Sequence, residues 1–481
     1  MSGAVAAHAA YNGSGTQGLA VTNKIQDQEG DVMSVFWNKN DTTRQLLHGA
    51  AFIDIPTSGN GGTSSFGGNQ IFTVNNDIDA IGELFLQISA DTGTTADFTL
   101  AGSLAAIIKR VEFHVGTQIW HTLEKEDIMA LNMTEMPEGV YGAYHRSIYG
   151  GYETVTGKKN KKAWGADNKV GMSAGGVSGV VRIPTISRQV GPTMSKFTNV
   201  VENAYLVAAA PHQTVKVKVY LENLDYVKKH VFLNSAGTGA IAATPKLELK
   251  LFGKHIIMCN EEREQMKAMP QGLPKRVKMS QNVTHTLNTH PSESFTIDLD
   301  HFSLLASHLI ITVFGSHQYA NTEASASGPP VTSTTNNHRA VTHSMTNALD
   351  EVELKLNSSS FSGTIKGSLL TAPVADMLGL YCNTQPYFGT LSGISTDVAQ
   401  NEHVTGLYRT YVFPLASQAF SGSSVPLNRF DNIRLTILLP SAETPSSTDH
   451  TVFGPSTRVT VTCVGETTAL YKGGAASLAM Y

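Results

Sequence analysis

The sequence predicts an all-β chain made of two antiparallel β-sandwiches, and three observations carry that prediction. Several stretches alternate strictly between apolar and polar residues, the pattern of a strand with one buried face. Helix-like and strand-like segments do not alternate in βαβ fashion, which argues against a parallel sheet wound by helices. The length of 481 residues exceeds one ordinary domain and suits two β-domains of roughly 200–250 residues each.

Taken in order, residues 1–30 are rich in Ala, Gly and Ser, lack periodicity and read as a flexible N-terminal arm. Residues 78–88 carry a strand-like run around Leu84, Leu86 and Ile88. Val111, Phe113 and Val115 share one face of the next strand, and Gly116-Thr117-Gln118 supplies a turn before Ile119. Val215, Val217, Val219 and Leu221 alternate with Lys216, Lys218 and Tyr220. The second half repeats this grammar with Leu247, Leu249 and Leu251, with Phe295, Ile297 and Leu299, and with Val352, Leu354 and Leu356. Residues 434–439 and 458–464 add two more strands.

Only two short helices are expected, both as connectors: 122–136, capped by Thr122, and 260–269, opened by Asn260. Long loops are expected at 150–179, 234–244 and 319–344. The resulting division is a first sandwich over 31–235, a linker over 236–245 and a second sandwich over 246–481.

Charged residues make up 15% of the chain and the net charge is −4. Soluble domains usually carry about 25% charge, so much of this surface is expected to lie against other copies or partners. The balance also excludes direct electrostatic binding of nucleic acid, which needs clustered cations. Cys259, Cys382 and Cys463 are the only cysteines and form no CxxC pair, which fits assembly in a reducing compartment. The N-terminal residues lack the charged-then-apolar pattern of a secretion signal. The longest apolar run, 304–314, contains His308 and is too short to span a bilayer.

No catalytic constellation emerges, and the expectation is a protein without enzymatic activity, cofactor or metal. Gly171-Met172-Ser173-Ala174-Gly175 fits the G-x-S-x-G elbow but lacks the required strand before it and helix after it. Gly237-Thr238-Gly239-Ala240-Ile241-Ala242 fits a dinucleotide fingerprint, yet Pro245 closes it within a few residues, as in a linker. The 17 histidines are scattered, without H-x-H or H-E-x-x-H spacing. Lys158–Lys162 reads as a solvated loop, and Glu261/Glu262 as a helix start. The sequons at Asn12, Asn40, Asn132, Asn282 and Asn357 match chance in a Ser/Thr-rich chain.

A family resemblance does emerge. Val425-Pro426-Leu427-Asn428-Arg429-Phe430-Asp431-Asn432-Ile433 resembles a segment of the major capsid proteins of nucleocytoplasmic large DNA viruses, with Arg429, Asp431 and Asn432 at its core. Earlier anchors lie in the same order: the strand ending in Gly116-Thr117-Gln118-Ile119, the strand from Leu247 closing on Glu262-Arg263, and Gln385-Pro386-Tyr387. The strand 406–415 and the small-residue stretch 472–481 follow the same pattern. Two departures stand out: the family's N-terminal aromatic-Arg-Arg signature is missing, and its Asn-Gly-x-x-Arg segment is replaced near Asn357.

The resemblance implies a double jelly roll, two eight-stranded sandwiches side by side, in a homotrimer that tiles an icosahedral shell. It implies neighbouring capsomers and minor capsid proteins as partners, and an internal membrane reached through the latter. It also implies virion localisation after assembly inside the host cell. Arg429–Asn432 is expected to be a turn that fixes the start of a strand. The competing reading is a non-viral β-sandwich that binds carbohydrate or another ligand.

Overall fold

The computed structural model describes residues 49–58, 63–91, 98–100, 104–137, 139–141, 144, 170–172, 177–184, 204–234, 244–258, 263–264, 273–287, 294–314, 349–381, 410–417, 424–439 and 458–479. The expected arm, the Lys158–Lys162 run, Gly237–Ala242 and the 319–344 loop lie outside these residues.

The first half contains β1 (Gly49–Ile55), β2 (Thr63–Ser64), β3 (Asn69–Val74), β4 (Ala80–Asp91), β5 (Phe98–Leu100), β6 (Ile108–Val115) and β7 (Gln118–Glu124). Helix α1 (Lys125–Glu135) comes next, then β8 (Val170–Met172), β9 (Val177–Ile183), β10 (Val215–Leu221), α2 (Leu224–His230) and β11 (Phe232–Asn234). Strand β12 (Lys246–Ile257) follows, then β13 (Leu273–Thr286), β14 (Phe295–Asp298), β15 (Leu305–Phe314), β16 (Glu351–Leu356), β17 (Ser359–Ser360) and β18 (Ile365–Lys366). Helix α3 (Ala372–Leu378) precedes β19 (Tyr411–Pro414), β20 (Val425–Pro426), β21 (Ile433–Leu438), β22 (Arg458–Lys472) and β23 (Ala475–Ala479).

Every pairing among these strands is antiparallel. One sheet runs β1-β12-β4-β9 with β2 beside β12, and a second runs β3-β10-β6-β7. Their inward residues, among them Leu84, Leu86, Val111, Phe113, Val217 and Leu249, share the first core. In the second half, β13-β22-β15-β19 faces β14-β21-β16-β17 across a separate core that includes Leu309, Ile311, Leu354, Leu435 and Val461. A small sheet, β11-β5-β8, stands apart. Gly171 and Met172 of the G-x-S-x-G match lie in its strand β8, while Ser173 lies outside the described residues.

Expected alternation and observed burial coincide at β10, where the four apolar residues are buried and the Lys and Tyr between them are half-exposed. The same holds at β16 and β21. Two expectations need correction. The sequence places residues 246–257 in the second sandwich, after a linker at 236–245. Instead β12 pairs with β1 and β4, and Leu247, Leu249 and Leu251 enter the first core. The change of sandwich therefore follows Met258, because β12 supplies the strand that β1 and β4 need between them. Helix α1 also begins three residues later than expected. Strand β7 continues to Glu124, which caps the helix together with Asp127 in a reciprocal capping box.

Candidate assembly site: the seam between the sandwiches

The sheet β13-β22-β15-β19 is covered on both faces. Strand β15 makes this visible residue by residue: Leu309, Ile311 and Val313 point into the second core, whereas Ile310 joins the first cluster. Both isoleucines are 0% exposed. A strand buried on both sides reads as a continuous apolar run instead of an alternating one, which explains 304–314.

The seam face of this sheet is unusually polar. Thr312, Thr460 and Thr462 are buried on it, as are Lys278 and His308, with Glu466 opposite Lys278 in the strand register. Helix α1 lies against it, and nine of its eleven residues are buried, five of them polar or charged. The helix bridges the two sandwiches through its polar side chains, Asn132 and Glu135 reaching Arg182 of the first while Asp127 and Glu135 reach Thr462, Asn282 and Lys278 of the second.

Asp127 of α1 is the central acceptor. It takes hydrogen bonds from the Glu124 N–H at 3.0 Å, from the Thr462 hydroxyl at 2.6 Å and from the Asn282 side-chain amide. Burial pushes its carboxyl up to about 7, against the lowering pull of the Thr462 hydroxyl and the Glu124 N–H. Nearby, Glu135 joins Lys278 of the second sandwich to Arg182 of the first, the latter at 3.2 Å. Arg182 also reaches Asn132 at 3.1 Å and Glu83 at 3.5 Å. Burial pushes the Lys278 ammonium down to about 7.

Two histidines complete this polar seam, His121 on β7 and His308 on β15. Burial, reinforced by the Lys278 charge, pushes each imidazole down to about 3, so both are neutral at pH 7. Ser307 donates to the Val464 carbonyl at 3.1 Å and stands 2.7 Å from His308 Nδ1. With the hydroxyl proton directed at Val464, Nδ1–H donates to Ser307, which assigns the tautomer.

The rest of the seam is aromatic and main-chain. Tyr205 packs edge-on to Trp120 and Phe113 and tilts against Tyr471 of β22. The Tyr471 hydroxyl accepts from Leu206 N–H at 3.3 Å. His212 N–H donates to the Gly474 carbonyl at 3.0 Å, Ala476 N–H to the Gln213 side chain at 2.7 Å, and Tyr381 N–H to Thr134 at 2.8 Å. Seam contacts thus come from β7, α1, Arg182 of β9 and residues 204–213 on one side, and from β13, β15, β22–β23 and the segment from α3 to Tyr381 on the other.

The residues singled out from the sequence are dispersed around this seam. Gly116, with φ +59°, turns β6 into β7, and Gln118 begins β7 at the surface. Arg263 clamps the crossing between sandwiches: its Nε and terminal nitrogen grip Asp79 at 2.6 and 2.7 Å, and Asp79 also accepts from Met258 N–H at 2.9 Å. Burial would raise the Asp79 pKa, but the Arg263 guanidinium and the Met258 amide outweigh it and hold it below the usual range. Glu262 and Gln385-Pro386-Tyr387 lie outside the described residues.

Arg429 ends a single 3-10 turn, Leu427–Arg429, and is exposed, like Asp431. Asn357 closes the turn from across the sheet, its Oδ1 accepting from Asp431 N–H at 2.9 Å and Asn432 N–H at 3.2 Å. Asp300 accepts from Ile433 N–H at 2.6 Å, where β21 begins. Sequence reasoning missed Asn357 in this role. Its signal was an Asn-Ser pair between alternating strands, a hairpin turn whose residues take φ +49° and +68°. The sequon residues Asn132 and Asn282 are engaged internally, with Arg182 and Asp127 respectively.

Among the described residues no group of three or more His, Cys, Asp or Glu is placed to hold a metal ion. No described helix is long and apolar enough to cross a membrane.

No protein-family model matches the chain, and no curated relative matches it. Solved structures do. A chain of the PBCV-1 virus capsid, in its quasi-atomic model, superposes with a TM-score of 0.62 at 14% identity, over 91% of this chain and 98% of that one. The Faustovirus major capsid protein gives 0.55 at 8% identity, over 94% and 97%. The Sputnik virophage structure gives 0.51 at 11%, over 93% and 92%. The chain has the double jelly-roll fold of viral major capsid proteins. The jelly rolls are the sandwiches described above, each built of two facing sheets.

Proposed function

We propose that this double jelly-roll chain is a structural major capsid protein, without enzymatic activity, of a large double-stranded DNA virus. The observation that carries the reading is that both jelly rolls together, over nine-tenths of the chain, follow the architecture of capsid chains. Its low charge supports the same reading, because a shell protein presents much of its surface to neighbours. In this reading three copies form a pseudo-hexameric capsomer, and capsomers tile an icosahedral outer shell with minor capsid proteins. The net charge of −4 fits a protein that does not touch the genome itself, with an internal membrane contacted through minor proteins. We take Gly116, Gln118, Glu262, Arg263, Gln385, Pro386, Tyr387, Arg429, Asp431 and Asn432 as framework positions that set strand starts and crossings, not as binding residues.

Light scattering on the purified protein tests the reading. A trimer of 51.5 kDa chains gives about 155 kDa, and particles of that mass should show a six-fold outline by electron microscopy. A well-folded monomer that never assembles would favour the ligand-binding sandwich.

A further inference from the structure

We propose that Lys278 and Glu135 are the two ends of a covalent cross-link, an isopeptide bond that the chain forms by itself across the seam, assisted by Arg182 and Glu466. The inference assigns a modification site, goes beyond a capsid role and stands whether or not the chain builds a shell.

The geometry supplies the parts. Lys278 Nζ, from β13, is in direct contact with Oε1 of Glu135, the last residue of α1, and the two side chains are 7% and 2% exposed. The other carboxylate oxygen, Oε2, accepts from both terminal nitrogens of Arg182 at 3.2 Å. One oxygen of Glu135 therefore meets an amine while its twin is held by a guanidinium. Glu466 of β22 stands directly opposite Lys278 in the antiparallel register, where side chains share a face, and is itself buried. A nucleophile, a carboxyl group, a fixed cation and a second carboxylate thus occupy one water-poor site.

An ion pair here keeps two charges out of water, which is costly, whereas an amide between the same residues is neutral. Three features ease the reaction. Contact makes the attack intramolecular, with no encounter to await. Arg182 grips the oxygen on which negative charge collects as the carboxyl carbon becomes tetrahedral. Burial, which pushes Lys278 down to about 7, frees its lone pair near neutral pH. The step balances. Lys278 Nζ bonds to Glu135 Cδ and the Cδ–Oε1 bond breaks. Two of the three ammonium protons leave with Oε1 as water, and the third remains as the amide N–H. Glu466 carries those protons from Nζ to Oε1 and ends in the state in which it began. Nothing is oxidised or reduced. The product removes one buried cation and one buried anion together, and Arg182 keeps Glu83, at 3.5 Å, as its counter-ion.

The test is mass spectrometry of the purified full chain, intact and after denaturation and proteolysis. The intact chain should be lighter than its sequence by one water, and the peptides that contain Glu135 and Lys278 should stay joined. Lys278→Arg keeps the cation but offers a guanidinium in place of the amine, and should restore both the full mass and separate peptides. Glu135→Ala should do the same. Glu466→Gln leaves both bonding residues in place and should slow the joining by about a hundredfold in a time course of cell-free synthesis, the size expected for loss of a proton carrier. If a variant fails to fold, the mass and peptide map of the wild-type chain decide. A folded wild-type chain at its full sequence mass with the two peptides separate would overturn the proposal. So would joined peptides that persist in Lys278→Arg, or equal rates of joining in wild type and Glu466→Gln.

Discussion

Replacing Ile310 by Ala tests the arrangement on which the seam depends. Ile310 and Ile311 are adjacent on β15, both fully buried, and face opposite clusters. Truncation to Ala removes three carbons from a packed site, which costs roughly 1.1–1.5 kcal/mol per carbon once the cavity is included, so about 3.3–4.5 kcal/mol. At a solvent-facing strand position the same change would cost about 0.5 kcal/mol or less. Ile310→Ala and Ile311→Ala should therefore be about equally destabilising in urea unfolding followed by circular dichroism, yet differ in place. Hydrogen exchange should show Ile310→Ala loosening residues 204–213 and 471–476, and Ile311→Ala loosening β16 and β21. A cost near 0.5 kcal/mol for Ile310→Ala beside a full cost for Ile311→Ala would refute the claim that this sheet is covered on both faces.

Three further outcomes are expected. Gly465 sits where β15 shifts register, and a Cβ there would lie 2.3 Å from the Leu305 carbonyl oxygen. Gly465→Ala should cost at least about 2 kcal/mol, whereas Gly139→Ala, with open space around it, should leave the urea midpoint within about 0.5 kcal/mol. Asn357→Ala should cost about 1–2 kcal/mol, because two backbone N–H groups lose their acceptor and Ala resists φ +49°. Asn357→Gly should cost less, since only the acceptor is lost, and thermal melts of the pair separate the two effects. Arg263→Gln should cost about 1.5–3 kcal/mol at pH 7 by removing the charged partner of Asp79. Asp79 has a depressed pKa when folded, so this stability is full above pH 3.8 and lost as pH falls through the folded value. Wild type and variant should accordingly converge in acid, as urea midpoints at pH 7 and pH 3 would reveal.

Local pattern made most strands legible, and pairing made some illegible. The alternation of Val215, Val217, Val219 and Leu221 states which face is buried whatever the strand's partners, and the structure agrees. The alternation of Leu247, Leu249 and Leu251 is just as clear, but it cannot say which sandwich receives it. That is decided by β1, nearly 200 residues earlier. The sequence points to too early a start for α1 because Thr122 is a good cap by type, while the cap in use combines Glu124 with Asp127.

The seam left a fainter trace. His308 inside Leu-Ala-Ser-His-Leu-Ile-Ile-Thr-Val is a polar ring in an apolar run, a sign that both faces of the strand are covered. Lys278 carried no such sign, since a lysine on a strand ordinarily faces water. The framework turn at Arg429–Asn432 was legible as a turn. The side chains that hold it, Asn357 and Asp300, come from elsewhere in the sheet and follow no local rule.

The strand order also sets a timetable for synthesis. Strand β12 lies between β1 and β4, and β22 lies between β13 and β15, so each main sheet is interrupted until its late strand emerges. Between the last residue of β13 and the first of β22 lie about 170 residues, or some 10–30 s of translation at roughly 5–20 residues per second. Through that interval the facing edges of β13 and β15 stand open to any other strand. Crowded ribosomes making many copies of one chain would be where these edges meet the wrong partner. Demand for a chaperone, and the yield of correctly folded protein, should therefore depend on how quickly residues 458–472 follow.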